Sequence, residues 1–150
     1  MANFLVRGDL GFIGSCSTEG WYRESHDVTV LDHLSNGHQN NLSYLKNQIT
    51  WYKSIIFSEK FNGIFHLVTA PRSFSLKDRF RDSGINCKGM ISVLELAKKD
   101  DVKVVFSSNS GIYGSKDNTN SIDGNLINNP TTTCDANNIV SEFYCKIGKE

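Results

Sequence analysis

The chain has 150 residues, 16 basic and 16 acidic, so its formal net charge at neutral pH is zero and no long-range field draws it to nucleic acid or an anionic membrane. Its length suits one hydrophobic core that stands without disulfide or metal staples, so a single domain over residues 1–150 is expected. Its apolar runs fall far short of the ~20 residues that span a bilayer, and Met1 to Val6 is too short for a signal-peptide core, which points to the cytoplasm.

In chain order, Asn3-Phe-Leu-Val-Arg7 is a short apolar run that stops at a glycine. The helix expected after it stacks weak helix formers from Ser15 to Gly20, and an interior glycine costs about 1 kcal/mol relative to alanine. That helix is expected to be frayed or marginal, with Phe12, Ile13, Trp21 and Tyr22 gripping the sheet. Further strands are expected at Val28–Asp32, Ile64–Val68 and Val102–Ser107, with a weaker one at Ile49–Lys53 and with Phe57 and Phe61 capping the sheet after it. Runs that are β-branched and apolar on both faces suit parallel strands covered on each side. The clearest helix is Asn86–Lys99, with Met90, Val93, Leu94 and Ala97 at helical spacing and a basic end that complements the helix dipole. Gly114 to Pro130, rich in Asn, Ser, Asp and Gly, reads as a long surface loop. Alternating strand and helix gives an α/β fold, a doubly wound (Rossmann) parallel sheet.

The first strand runs into Gly8-Asp9-Leu10-Gly11-Phe12-Ile13-Gly14, a GxxGxxG turn that opens a helix. Glycines there permit a tight turn and let backbone N–H groups approach a pyrophosphate, whose charge a helix N-terminus favours. Asp32 ends the second strand, where a carboxylate accepts from adenosine ribose hydroxyls and repels a 2′-phosphate. Strand, glycine turn, helix and acidic residue together predict NAD rather than NADP. Cys16, Cys87, Cys134 and Cys145 form no CxxC pair and have no His at ligand spacing, which argues for reduced thiols and against zinc.

Gly8-x-x-Gly11-Phe-Ile-Gly14, His26 to Gly37, Phe65-His-Leu67, Asn86-x-x-Gly89, Val104 to Ser108 and Ile112-Tyr-Gly114 follow one another over nearly the whole chain. In that order and spacing they resemble the landmarks of the NAD-dependent epimerase/dehydratase family, extended short-chain dehydrogenases that act on nucleotide sugars, and most of all its UDP-glucose 4-epimerases. The resemblance implies that Gly8, Gly11, Phe12, Ile13 and Gly14 line the pyrophosphate, and that Asp32, His33, Ser35, Asn36 and Gly37 surround the adenosine ribose. Ser54-Ile55 stands where the family has Asp-Ile beside the adenine. Leu67, Val68 and Thr69 would pass under the cofactor and Ser107 would approach the nicotinamide. Asn86 would organise the floor of the site, or else cap the helix that follows it.

All three of the family's catalytic positions are changed. Its tyrosine and lysine of a YxxxK motif fall at Cys134 and Asn138, and its assisting Ser/Thr falls at Asn109. A thiol is far shorter than a phenol, and neutral Asn138 supplies no cation to lower its pKa or to hold the nicotinamide ribose. Asp9 puts an anion where the family has glycine, with Arg7 close enough in sequence to offset it. The chain stops before the place where the family's smaller C-terminal substrate domain would begin, so the fold is expected to be a truncated version of the family's. The leading reading is an NAD-binding domain that is catalytically impaired or inactive. An active NAD-dependent UDP-sugar 4-epimerase or dehydratase, with a nucleotide sugar as partner, is the second. The third is a non-enzymatic subunit that associates, with its own copies or another chain, through an open sheet edge.

Overall fold

The computed structural model describes residues 1–8, 10–32, 37–52, 60–70, 72–114 and 128–148. Five parallel strands form one sheet: β1 Asn3–Arg7, β2 Asp27–Leu31, β3 Thr50–Tyr52, β4 Gly63–His66 and β5 Lys103–Phe106. Their order is β3-β2-β1-β4-β5, so β1 is central, with Leu5 opposite both Thr29 and Ile64. The order reverses between β1 and β4, and the carboxyl ends of strands at such a switch point are where open α/β sheets bind ligands. The expected doubly wound parallel sheet is present.

The chain divides into two compact units, Met1–Val68 with Val93–Phe106, and Thr69–Ser92 with Ser107–Glu150. The first unit holds the whole sheet. Successive strand residues face opposite sides, and Leu5 and Val6 accordingly enter two different core clusters. Leu5 packs with Leu31, Phe61, Ile64, Val93, Leu96 and Ala97, and Val6 packs with Leu10, Val28, Val30, Leu42, Leu45 and Ile49. Burial on both faces explains why these strands read as continuous apolar runs rather than alternating ones. Leu42 and Leu45 arrive on a 3-10 stretch, Gln39–Leu45, that the sequence reading did not anticipate.

Helix α1, Phe12–Arg23, is a complete three turns rather than a frayed one. Its grip on the sheet also differs from expectation. Gly14 and Thr18 are its buried residues, and Trp21 and Tyr22 pack on the Val6 cluster, whereas Phe12 and Ile13 are exposed by 84% and 57%. Entry from the glycine turn points the first two helical side chains away from the core. Gly20 has nothing within 4 Å of the place a Cβ would occupy, so its cost is the conformational one alone.

The second unit is mostly short helices: α2 Arg72–Ser75, α3 Arg79–Ser83, and a π turn at Gly84–Lys88 that feeds α4, Gly89–Asp100, whose residues from Val93 onward belong to the first unit. A single 3-10 turn, Ser110–Tyr113, follows β5, and the last helix is α5, Thr133–Ile147. The start of α5 is fixed by a capping box in which Thr132 Oγ1 accepts from the Asp135 N–H at 3.2 Å and Asp135 Oδ2 accepts from the Thr132 N–H at 3.0 Å. In α4 the buried apolar side chains are Met90, Val93, Leu96 and Ala97, so Leu96 takes the place expected of Leu94, which is half-buried. Of the expected loop from Gly114 to Pro130, residues 115–127 lie outside the described residues, as does Phe57. Among the described residues no helix is long and apolar enough to cross a membrane.

Candidate functional site

The first unit carries the glycine turn. Gly8 follows β1 with φ +86°, and a Cβ there would stand 2.7 Å from Val68 Cγ2 and 3.0 Å from the Val68 backbone nitrogen. Only glycine fits that left-handed, crowded position. The Leu10 N–H donates to Asp32 Oδ2 at 3.2 Å, so the carboxylate that ends β2 also holds the turn. Gly37 closes on the same group, for a Cβ on it would lie 2.9 Å from Asp32 Oδ2 and 3.0 Å from the Leu10 carbonyl carbon. Gly11 differs: it is the N-cap of α1, and the nearest atom to a Cβ there is Gly8 O at 3.5 Å. Packing permits a side chain at Gly11, so the glycine keeps open space over the helix start. Leu67 donates its N–H to Arg7 O at 2.9 Å and packs on the Val6 cluster, and Val68 lies beneath Gly8. Asp9, His33, Ser35, Asn36, Ser54 and Ile55 lie outside the described residues.

Beside Asp32 and Leu10 opens a cavity of about 230 Å³, walled by Trp51 and Tyr52 and edged by Gln39, Lys46 and Asn47. The sequence reading did not name these five residues. Two adjacent aromatics at the end of a parallel strand were the available signal.

Arg7 turns to His66, its Nη1 donating to Nδ1 at 3.4 Å. Burial lowers the guanidinium pKa, and attraction to Asp32 opposes that fall. His66 is buried and stacked on Phe106 with ring centroids 5.7 Å apart. Burial, and then the Arg7 charge, push its pKa down to about 3. The ring is therefore neutral, with its proton on Nε2, which has no partner among the described residues.

The second unit brings together most of the remaining expected residues, and joins them to each other. The Cys134 thiol donates to Ala70 O at 3.3 Å, with Thr69 Oγ1 at 3.5 Å and the amide nitrogens of Asn109 and Asn138 each at 3.7 Å. Asn138, 1% exposed, donates from Nδ2 to Cys134 O at 2.9 Å and to Thr69 Oγ1 at 3.3 Å. Asn86 does not cap a helix. It sits within the π turn, where its Oδ1 accepts from the Ala70 N–H at 3.0 Å and its Nδ2 donates to Asp82 Oδ1 at 2.9 Å. Asp82, fully buried, accepts from Asn137 Nδ2 on its other oxygen at 2.8 Å, and also bonds Ser75, whose Oγ accepts from the Cys134 N–H at 2.9 Å. Ser107, half-buried, turns its Oγ to Ser108 O at 3.4 Å.

The chemistry available there is limited. Burial pushes the Cys134 thiol pKa up, with the Thr69 hydrogen bond opposing it only in part, so at neutral pH the sulfur keeps its proton. Asp82 and Ser75 were not legible as partners because their helices are too short to show a period, and Asn137 on α5 because a buried polar residue leaves no apolar stripe.

A family model for the NAD dependent epimerase/dehydratase family matches residues 4–147. The chain belongs to that family. Among its curated relatives is the UDP-glucose 4-epimerase of Lacticaseibacillus casei, 34% identical over 120 residues that cover 73% of this chain and 36% of that one. Among solved structures, Thermotoga maritima UDP-glucose 4-epimerase with UDP-glucose superposes with a TM-score of 0.87 at 27% identity, covering 97% of this chain and 50% of its own. Thermus thermophilus UDP-glucose 4-epimerase in complex with NAD gives 0.84 at 25% identity, again over 97% of this chain and 50% of its own. The chain thus spans half the length, or less, of these epimerase-family relatives. Membership agrees with the motif reading of the fold and with NAD as the cofactor class.

Proposed function

We propose that this chain is an NAD-binding domain of the epimerase/dehydratase family that does not perform the family's acid–base chemistry. The fit to NAD rests on the first unit. Gly8 forms a cradle that a Cβ would fill, Asp32 stands at the end of β2 with one oxygen already holding the turn, and a cavity opens beside it. In this reading Gly8, Gly11 and Gly14 let the backbone approach the pyrophosphate, Asp32 accepts from the adenosine ribose, and Phe12 and Ile13 stay outside the core to cover the diphosphate. His33, Ser35, Asn36, Ser54 and Ile55 complete the adenosine end by the family resemblance. Bound NAD would supply a hydride acceptor at its nicotinamide. The coenzyme chemistry and the charge balance favour a cytoplasmic setting.

The observation that carries the loss of chemistry is the burial of Cys134 and Asn138 in one closed hydrogen-bonded network. A base must reach its proton within about 2.6–3.2 Å, and a short thiol already donating to Ala70 O, whose burial outweighs the pull of the Arg72 charge, is poorly placed to do so. Positioned acid–base help is worth typically ~10²–10⁴ in rate. The test pairs calorimetric titration of NAD with an assay of UDP-galactose formation from UDP-glucose. Binding without turnover is expected. Turnover above the buffer blank would restore the reading as an active UDP-sugar 4-epimerase.

A further inference from the structure

Acids and bases cancel over the whole chain but not over one stretch of the second unit. Residues 72–88 carry five exposed basic side chains, Arg72, Lys77, Arg79, Arg81 and Lys88, against a single exposed carboxylate, Asp78, because Asp82 is buried. Two apolar side chains stand out among them, Leu76 at 68% exposed and Phe80 at 94%.

The local fold fixes which way these residues face. Ser75 and Asp82 are buried and hydrogen-bonded to each other, and Asp82 also accepts from Asn137 on α5, so α2 and α3 are both pinned inward at these two positions. At about 100° per helical residue, Phe80 lies nearly opposite Asp82 on α3, with Arg79 and Arg81 on either flank. The Leu76 N–H donates to Arg72 O at 3.2 Å, which continues the turn of α2 and carries Leu76 away from the pinned Ser75. Asp78 Oδ1 accepts from the Arg81 N–H at 2.9 Å, so the exposed carboxylate is engaged in capping α3. The outer side of the two helices is thus a pair of apolar tips set among cations.

Such a surface fits an anionic partner that has an apolar interior. An acidic protein would have to strip water from the cations to reach the ring between them. A bilayer takes the apolar tips into the acyl boundary and leaves the cations hydrated at the level of the phosphates. Each Lys or Arg held near an anionic leaflet strengthens attachment roughly fivefold. Tips that project singly also need no preformed groove, because lipid chains flow round them.

We propose that the outer face of α2 and α3 docks on an anionic lipid surface, with Phe80 and Leu76 entering the acyl boundary and Arg72, Lys77, Arg79 and Arg81 meeting the phosphates. This attachment is peripheral and requires neither bound NAD nor turnover.

The test is co-sedimentation of the full 150-residue chain with vesicles of phosphatidylcholine alone and of phosphatidylcholine and phosphatidylserine in equal parts, with soluble polyglutamate as a further probe. Sedimentation with the phosphatidylserine vesicles, weakening as salt is added, is expected, and none with phosphatidylcholine alone. Lys77→Gln with Arg79→Gln should weaken it roughly thirtyfold. Phe80→Ser should weaken it at least about tenfold, and Phe80→Leu should restore most of the loss. Because Phe80 is 94% exposed, both variants are expected to melt with wild type, so the loss reads attachment and not folding. Wild type that stays in the supernatant with phosphatidylserine vesicles at low salt would overturn the proposal, as would equal binding by Phe80→Ser. Polyglutamate binding as tight as that to the vesicles, with the same dependence on Phe80, would assign the face to an acidic protein and overturn it too.

Discussion

Asn137 donates from Nδ2 to Asp82 Oδ2 at 2.8 Å, an amide and a carboxylate both shut away from solvent, and so ties α5 to α3. Burial raises the Asp82 pKa, while hydrogen bonds from Asn137, Ser75 and Asn86 oppose the rise. An asparagine at 82 would present an amide nitrogen to one of two neighbouring amide nitrogens, each with its donor still pointing inward. A buried donor left without an acceptor costs about 1–3 kcal/mol. Asp82→Asn is therefore expected to lower the urea midpoint by that order. An unchanged midpoint would mean that the network repacks freely.

His66 sets a pH dependence of stability. Its folded pKa, about 3, lies below the unfolded value of roughly 6.5, so the unfolded chain binds the proton more readily in between. Stability from this residue is complete above the unfolded pKa and falls as pH drops through the window from about 6.5 to about 3, by up to ~1.4 kcal/mol per pH unit. His66→Phe should flatten that limb of the profile measured by denaturant melts. A slope retained by the variant would assign it to other groups.

Gly11 separates binding from folding. Because a Cβ there meets nothing closer than 3.5 Å, Gly11→Val should leave the melting temperature within a few degrees of wild type. Its side chain would fill the approach to the helix N-terminus and abolish NAD binding, read by calorimetry. Retained affinity would move the diphosphate away from this turn.

Restoring the family's lysine tests how far the second unit has settled around its neutral residues. Asn138→Lys would place an ammonium where the present side chain is 1% exposed, among a thiol, a hydroxyl and a carbonyl but no bonded carboxylate. An uncompensated buried charge costs about 3–5 kcal/mol. A clear drop in melting temperature is expected, in place of a gain in function. A variant as stable as wild type would show that this position opens readily to solvent.

The sheet was legible because its strands are apolar on both faces, and Leu5 and Val6 need that in order to enter opposite cores. The glycine turn and Asp32 were legible because their geometry is local: a positive φ at Gly8 and a carboxylate one strand away leave a fixed spacing in the sequence. Phe12 and Ile13 misled as core residues, since hydrophobicity alone does not say that a helix entered from a tight turn presents its first residues outward. The roles of Asp82, Ser75 and Asn137 were hidden because they depend on contacts across about sixty positions of sequence, made by polar residues that elsewhere would be surface.

The enclosure of Cys134 also bears on how the chain meets oxidants and alkylating reagents. Attack requires a thiolate that the reagent can reach, and this sulfur is protonated and 4% exposed, whereas Cys16 on α1 faces solvent. Cys16 is the thiol open to modification in the intact fold. Labelling at Cys134 would mark the moments when the second unit opens, which makes that residue a built-in clock for local unfolding.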